Sequence, residues 1–133
     1  MTYATRIIAG VLLLVVGAMS AAFIAWRVSD QPVSALQAKW APPPSQFIAV
    51  RGMQVHVRDE GPRDDVVPIV LLHGTGASLH TWDGWTRELT RERRVIRFDL
   101  PGFGLTGPSP DGVYSIESYV DTVLALADTL GVQ

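Results

Sequence analysis

Hydrophobic and polar residues alternate with different periods along the 133 residues, and each period predicts a different element. Residues 7–26 (IIAGVLLLVVGAMSAAFIAW) carry no charge at all. Twenty residues at ~1.5 Å rise span ~30 Å, the hydrocarbon thickness of a bilayer. Arg6 and Arg27 flank the run, and Tyr3 and Trp26 stand where interfacial aromatics lie. Residues 1–27 therefore read as a transmembrane helix or signal anchor, in contact with the membrane through 7–26. A cleaved signal peptide, leaving a secreted protein, is the competing reading. Ala18-Met19-Ser20 and Ser20-Ala21-Ala22 are small enough for cleavage, but residues 23–26 continue the apolar run beyond both. Arg6 and the free amine, set against Arg27 and Lys39, lean toward an amino terminus inside and a domain on the periplasmic or extracellular side. Residues 28–46 show no period. Pro32, Pro42, Pro43 and Pro44 favour extended polyproline, so this stretch, Trp40 included, reads as a solvated semi-rigid linker.

From residue 47 the pattern becomes that of an α/β domain, 47–133. Residues 47–50 and 53–59 read as a hairpin joined through Arg51-Gly52. Met53, Val55 and Val57 take one face and Gln54, His56 and Arg58 the other, which places His56 on the polar, solvated face. Residues 69–72 form a short continuous apolar run, the mark of a parallel strand buried on both faces. Leu79, Trp82, Trp85 and Leu89 then recur at helical spacing, with Arg87, Glu88, Arg91 and Glu92 facing away. The Arg91-Glu92-Arg93-Arg94 run reads as a solvated helix end. Residues 95–99 are the next strand, and the helix-containing crossover before it is what parallel neighbours require. A long Pro- and Gly-rich loop follows. Ser115 is placed to cap a helix with Glu117 in its first turn and Gly131 at its end. Ile116, Tyr119, Val120, Val123, Leu124, Ala127 and Leu130 are its expected apolar stripe.

Composition narrows the chemistry. A net charge of −2 gives no footprint for nucleic acid. The absence of cysteine removes disulfides, thiolate ligands and a thiol nucleophile from this chain. Three scattered histidines do not make a metal site, and nothing calls for a cofactor. The place for chemistry is the loop after residue 72, because ligands of open α/β sheets gather at the carboxyl ends of the strands. There His73-Gly74-Thr75-Gly76-Ala77-Ser78 brings glycine backbone close to a ligand with amides free to face negative charge, the design of an oxyanion hole.

These residues, with Trp82, resemble the loop after the third strand of the α/β-hydrolase superfamily. Arg97-Phe98-Asp99-Leu100-Pro101-Gly102-Phe103-Gly104-Leu105-Thr106 resembles the segment that follows its fourth strand. The order and spacing of the two blocks match as well, over residues 47–133. The resemblance implies the amino-terminal portion of an α/β-hydrolase sheet, an edge hairpin plus parallel strands with helices, preceded by the transmembrane helix. It implies an oxyanion-hole amide from Thr75 or Gly76, and loop-shaping roles for His73, Gly74, Asp99, Gly102 and Gly104. Asp99 at a strand end also suits an acid or a ligand, and His80 a helix-start or pocket-wall position.

The family's nucleophile sits in Gly-x-Ser-x-Gly, and its acid and His follow in that order. Neither the segment from Gly76 to His80 nor that from Gly107 to Asp111 has the second glycine, so all three are expected after Gln133. The expectation is a fragment, inactive alone, of a serine ester hydrolase acting on a small ester-like molecule through an acyl-enzyme. Epoxide hydrolases and haloalkane dehalogenases, with an Asp nucleophile, are the alternative, although they usually carry Pro where this chain has Gly76. A non-catalytic anchored binding protein of the same fold is the third reading. Oligomeric state is left open.

Overall fold

The computed structural model describes residues 2–28 and 31–132, in two compact units, residues 1–31 and 32–133. The first unit is helix α1, Tyr3–Trp26, capped by the Thr2 hydroxyl accepting the Thr5 N–H. With 24 residues and a mean hydropathy of 2.7 over its most apolar 18, it is long and apolar enough to cross a bilayer, a property that signal sequences share.

The second unit opens with a departure from the sequence reading. Residues Val33–Trp40 form a helix, α2, and only then does the proline run turn the chain toward the sheet, with Ser45 N–H donating to Pro42 C=O. Pro32 sits at the N-cap, where its missing N–H is harmless, so the prolines bound this helix and do not extend the whole stretch. Strands β1 (Gln46–Val50) and β2 (Met53–Glu60) form the antiparallel hairpin. Strands β3 (Ile69–Leu72) and β4 (Val95–Phe98) pair in parallel, and β4 also pairs antiparallel with β2. The sheet order is therefore β1-β2-β4-β3, a mixed sheet with the hairpin at one edge.

The crossover from β3 to β4 runs through a 3₁₀ turn at Leu79–Trp82 and helix α3, Asp83–Leu89. The tighter turn shifts the helical phase. Leu79 and Thr86 are buried as a result, and Trp85, expected inside, is exposed. The basic run at the end of α3 is only partly a solvated cap. Arg91 pairs with Glu88 at the surface, but Arg94 is buried and donates from Nε and Nη2 to Asp59 at 3.0 and 2.8 Å.

Helix α4, Ile116–Thr129, starts as expected, Ser115 Oγ accepting the Ser118 N–H. It ends in a Schellman arrangement: Val132 N–H reaches Ala127 C=O and Gly131 N–H reaches Asp128 C=O, with Gly131 at φ +66°. Its buried face meets the predicted stripe only in part: Val123 and Leu130 pack, half-buried, against the core. Ser118, Thr122 and Leu126 are buried, and the Thr122 hydroxyl is satisfied by Ser118 C=O at 2.9 Å. Ile116, Val120 and Leu124 are exposed, as are Val70 and Leu72 of β3, which is thus half covered and not enclosed on both faces. Among the described residues no strand lies beyond β3. The core joins Val50, Met53, Val55 and Val57 of the hairpin to Ile96 and Phe98 of β4 and Leu126 of α4.

Candidate functional site

The two parallel strands end side by side, and the residues just past them are tied together. His73 follows β3 and is buried; its Nε2 accepts the Leu100 N–H at 3.0 Å. Its proton must then sit on Nδ1, which donates to Gly74 C=O at 2.9 Å. With both ring nitrogens engaged, His73 has no lone pair to offer a substrate. The ring also meets Phe103 edge-on at 5.6 Å.

Gly74 to Ala77 is a turn closed by Ala77 N–H on Gly74 C=O, with Gly76 at φ +71°. Thr75 and Gly76 are exposed, and among the described residues neither N–H is spent on a hydrogen bond. The turn therefore presents bare amides at the carboxyl end of the sheet, which is what a developing oxyanion needs.

Asp99 follows β4 and is the centre of the polar interior. Its Oδ1 accepts the Leu79 N–H at 2.7 Å, and its Oδ2 accepts the Leu105 N–H and the His56 Nδ1–H, each at 2.8 Å. Thr106 completes the knot: its hydroxyl donates to Asp99 C=O and accepts the His56 N–H. Burial pushes the Asp99 carboxyl up. The hydrogen bond from His56, the amides of Leu79 and Leu105 and the attraction of His56 outweigh it and hold the group below its ordinary value. Gly104 is required here, because a Cβ would lie 2.2 Å from Asp99 Oδ2 and φ is +51°. Gly102 sits under the Tyr114 ring at φ +87°.

His56 departs most from the sequence reading. It is 0% exposed, not on a solvated face. The second face of β2 is roofed by the loop after β4, and Phe47 stacks on the imidazole at 5.2 Å. Its Nε2 lies 2.9 Å from Ser45 Oγ, and that oxygen also accepts Arg58 Nε–H at 2.8 Å. Ser45, His56 and Asp99 thus form a continuous hydrogen-bonded chain in the order hydroxyl, imidazole, carboxylate. Residues 45, 56 and 99 share no spacing motif, so sequence reasoning passed over the set. The available signals stood apart: one His among the polar positions of an alternating strand, and Asp99 at the end of another.

Beside this chain lies a largely apolar pocket of about 250 Å³, lined by Leu36, Trp40, His56, Ser78, His80, Asp99, Gly104 and Leu105. His80 Nε2 donates to Trp40 C=O at 2.8 Å, so Trp40 is docked to the domain and not loose in a linker. Thr75 and Gly76 are not among the pocket's lining residues. Deeper in the sheet, Arg97 of β4 is buried, donating to Glu60 at 3.1 and 3.0 Å, to Leu79 C=O and to Asp83. Among the described residues, no three His, Asp or Glu side chains converge on a metal position.

A mixed sheet whose parallel strands end in a His-Gly turn and an Asp-anchored Pro-Gly loop defines a hydrolase-type α/β architecture. The model of the alpha/beta hydrolase fold family matches residues 67–133. The chain belongs to that family. It is 35% identical over 89 residues to 2-hydroxy-6-oxo-2,4-heptadienoate hydrolase of Pseudomonas putida, covering 64% of this chain and 31% of the relative. It is 36% identical over 80 residues to a haloalkane dehalogenase of Psychrobacter cryohalolentis, covering 59% and 26%. A meta-cleavage product hydrolase from Pseudomonas fluorescens superposes with a TM-score of 0.58 at 29% identity, over 65% of this chain and 32% of the other. The chain spans between a quarter and a third of the length of the curated relatives just named.

Proposed function

We propose that these residues belong to a membrane-anchored hydrolase that cleaves an ester or related acyl substrate through an acyl-serine intermediate. The observation that carries the reading is the pair of unspent amides at Thr75 and Gly76, in a turn fixed by His73 at the end of a parallel strand. One of them supplies half of an oxyanion hole; the other half comes from the residue after the nucleophile. The nucleophile, acid and His of the family would be contributed by residues beyond Gln133. Family-type turnover is accordingly not expected of residues 1–133 alone. α1 holds the domain at the membrane, on the periplasmic or extracellular side.

A second reading, the Asp-nucleophile relatives, is favoured by the likeness to the haloalkane dehalogenase. Gly76 in place of their usual Pro weighs for the serine enzymes. The test is the coding sequence beyond the Gln133 codon, with the activity of whatever longer product it encodes. Gly-x-Ser-x-Gly after a short apolar strand supports the serine reading, and Asp in the Ser position transfers it to the second. A stop codon at that point overturns both. In a longer product that hydrolyses p-nitrophenyl esters, Thr75→Pro deletes one amide. A fall of about 10²–10³ in kcat identifies Thr75 as the donor, and unchanged activity identifies Gly76. Carbonate-resistant membrane retention checks the anchor, and release of a shortened soluble form would overturn it.

A further inference from the structure

We propose that Ser45 is an activated nucleophile, a covalent modification site for activated esters that carry a small apolar acyl group. The inference stands apart from the family nucleophile and uses only residues within this chain.

Three features of the Ser45 surroundings support it. First, the polarity of the chain is fixed from its buried end. Asp99 is an acceptor, so His56 donates from Nδ1 and turns Nε2 toward Ser45 at 2.9 Å. Second, Ser45 Oγ already accepts a charged N–H from Arg58 at 2.8 Å. Its own proton is therefore the one shared with His56 Nε2, and the guanidinium stabilises the alkoxide as it develops. Third, the ring cannot turn away: it is fully buried, stacked on Phe47 and tied at Nδ1 to Asp99. Asp99 and Phe47 are positioning residues here, and His56 is the base. Ser45 itself is only partly buried, one residue before β1. Ser45 is not itself among the residues that line the neighbouring pocket, but its base His56 is, and Leu36, Trp40 and Leu105 of that pocket offer an apolar wall to the acyl group.

In the step, Ser45 Oγ forms a bond to the carbonyl carbon of the ester and its proton passes to His56 Nε2. The bond from that carbon to the leaving oxygen breaks, and the leaving group departs as the alcohol or phenol, with the His56 proton. Acyl-Ser45 and neutral His56 remain. No redox partner is needed.

The test uses residues 1–133 in detergent micelles, with p-nitrophenyl acetate as the probe and peptide mass mapping of the acetylated sites. Ser34, exposed on α2, is the internal reference. General-base assistance contributes about 10²–10⁴-fold, so Ser45 is expected to acetylate at least ~10²-fold faster than Ser34. Ser45→Ala abolishes that adduct, and His56→Gln brings Ser45 down to the Ser34 rate. Equal rates at Ser45 and Ser34 in the unaltered chain overturn the proposal, as does a Ser45 rate unchanged in His56→Gln. Should His56→Gln fail to fold, the unaltered chain in urea decides. An advantage that disappears on unfolding supports the relay, and one that persists is a property of local sequence and overturns it. The adduct reports on Ser45, and turnover by a longer gene product reports on the family nucleophile, so either reading can fail without the other.

Discussion

Replacing Asp99 by Asn keeps the size of the side chain and removes one acceptor from a buried site that has three donors aimed at it. Asp99 Oδ1 serves Leu79 N–H, and Oδ2 serves both Leu105 N–H and His56 Nδ1–H. An Asn oxygen can occupy only one of these positions. Placed toward Leu79, it leaves the amide group facing two donors. His56 can escape by moving its proton to Nε2 and accepting, but Leu105 N–H is stranded. Placed toward Leu105, it strands Leu79 N–H. Either way one buried donor loses its acceptor, at about 1–3 kcal/mol, and the surviving bonds fall from charge-assisted to neutral strength, roughly 1 kcal/mol each. The expected loss is about 2–5 kcal/mol. Equilibrium urea unfolding of the 133-residue chain in micelles, read by tryptophan fluorescence, measures the total. Amide hydrogen exchange at Leu79 and Leu105 shows which donor is stranded. A loss below about 1 kcal/mol with both amides still protected would refute the view that Asp99 organises the site.

Acid should expose the same group. Asp99 and Asp59 both lie below the ordinary carboxylate value when folded. In each, burial acts upward and is outweighed, by His56 and two amides for Asp99 and by Arg94 and Arg63 for Asp59. Their stabilisation is therefore complete above the unfolded value near 4 and is lost as pH falls through the lower folded value. Urea midpoints should be level from about pH 5 to 7, drop below about pH 4, and drop less steeply in Asp99→Asn. Gly104→Ala combines a positive φ with a Cβ 2.2 Å from Asp99 Oδ2, whereas Gly76→Ala has a positive φ and nothing within 4 Å. The backbone cost of about 1–2 kcal/mol is common to both, so Gly104→Ala should lower stability clearly more in the same unfolding assay. Ser115→Ala removes the cap on Ser118 N–H and should cost about 1 kcal/mol, with faster amide exchange confined to the first turn of α4.

Local chemistry carries its own instructions, and those were legible in order along the chain. The unbroken apolar run of α1, the alternation in β2, the glycines that permit the turns at Gly76 and Gly104, and the Ser115 and Gly131 helix ends each depend on neighbours a few residues away. So does the His-Gly turn, which is why the family resemblance could be read from two short blocks. Periodicity also separates the two faces of a strand or helix, but it cannot say what lies over each face. His56 occupies the polar side of β2 as the alternation requires, yet that side is covered by the loop after β4, so a polar position became a buried one. α4 has more apolar surface than one contact can cover, and docking chose Ser118, Thr122 and Leu126, leaving Ile116, Val120 and Leu124 outside. Val70 and Leu72 are half uncovered for the same reason, since enclosure of a strand is decided by its neighbours and not by its own residues. The meeting of Ser45, His56 and Asp99 is the extreme case. Three segments separated by 11 and 43 residues converge only when β2 pairs with β4 and the proline turn folds back onto β2.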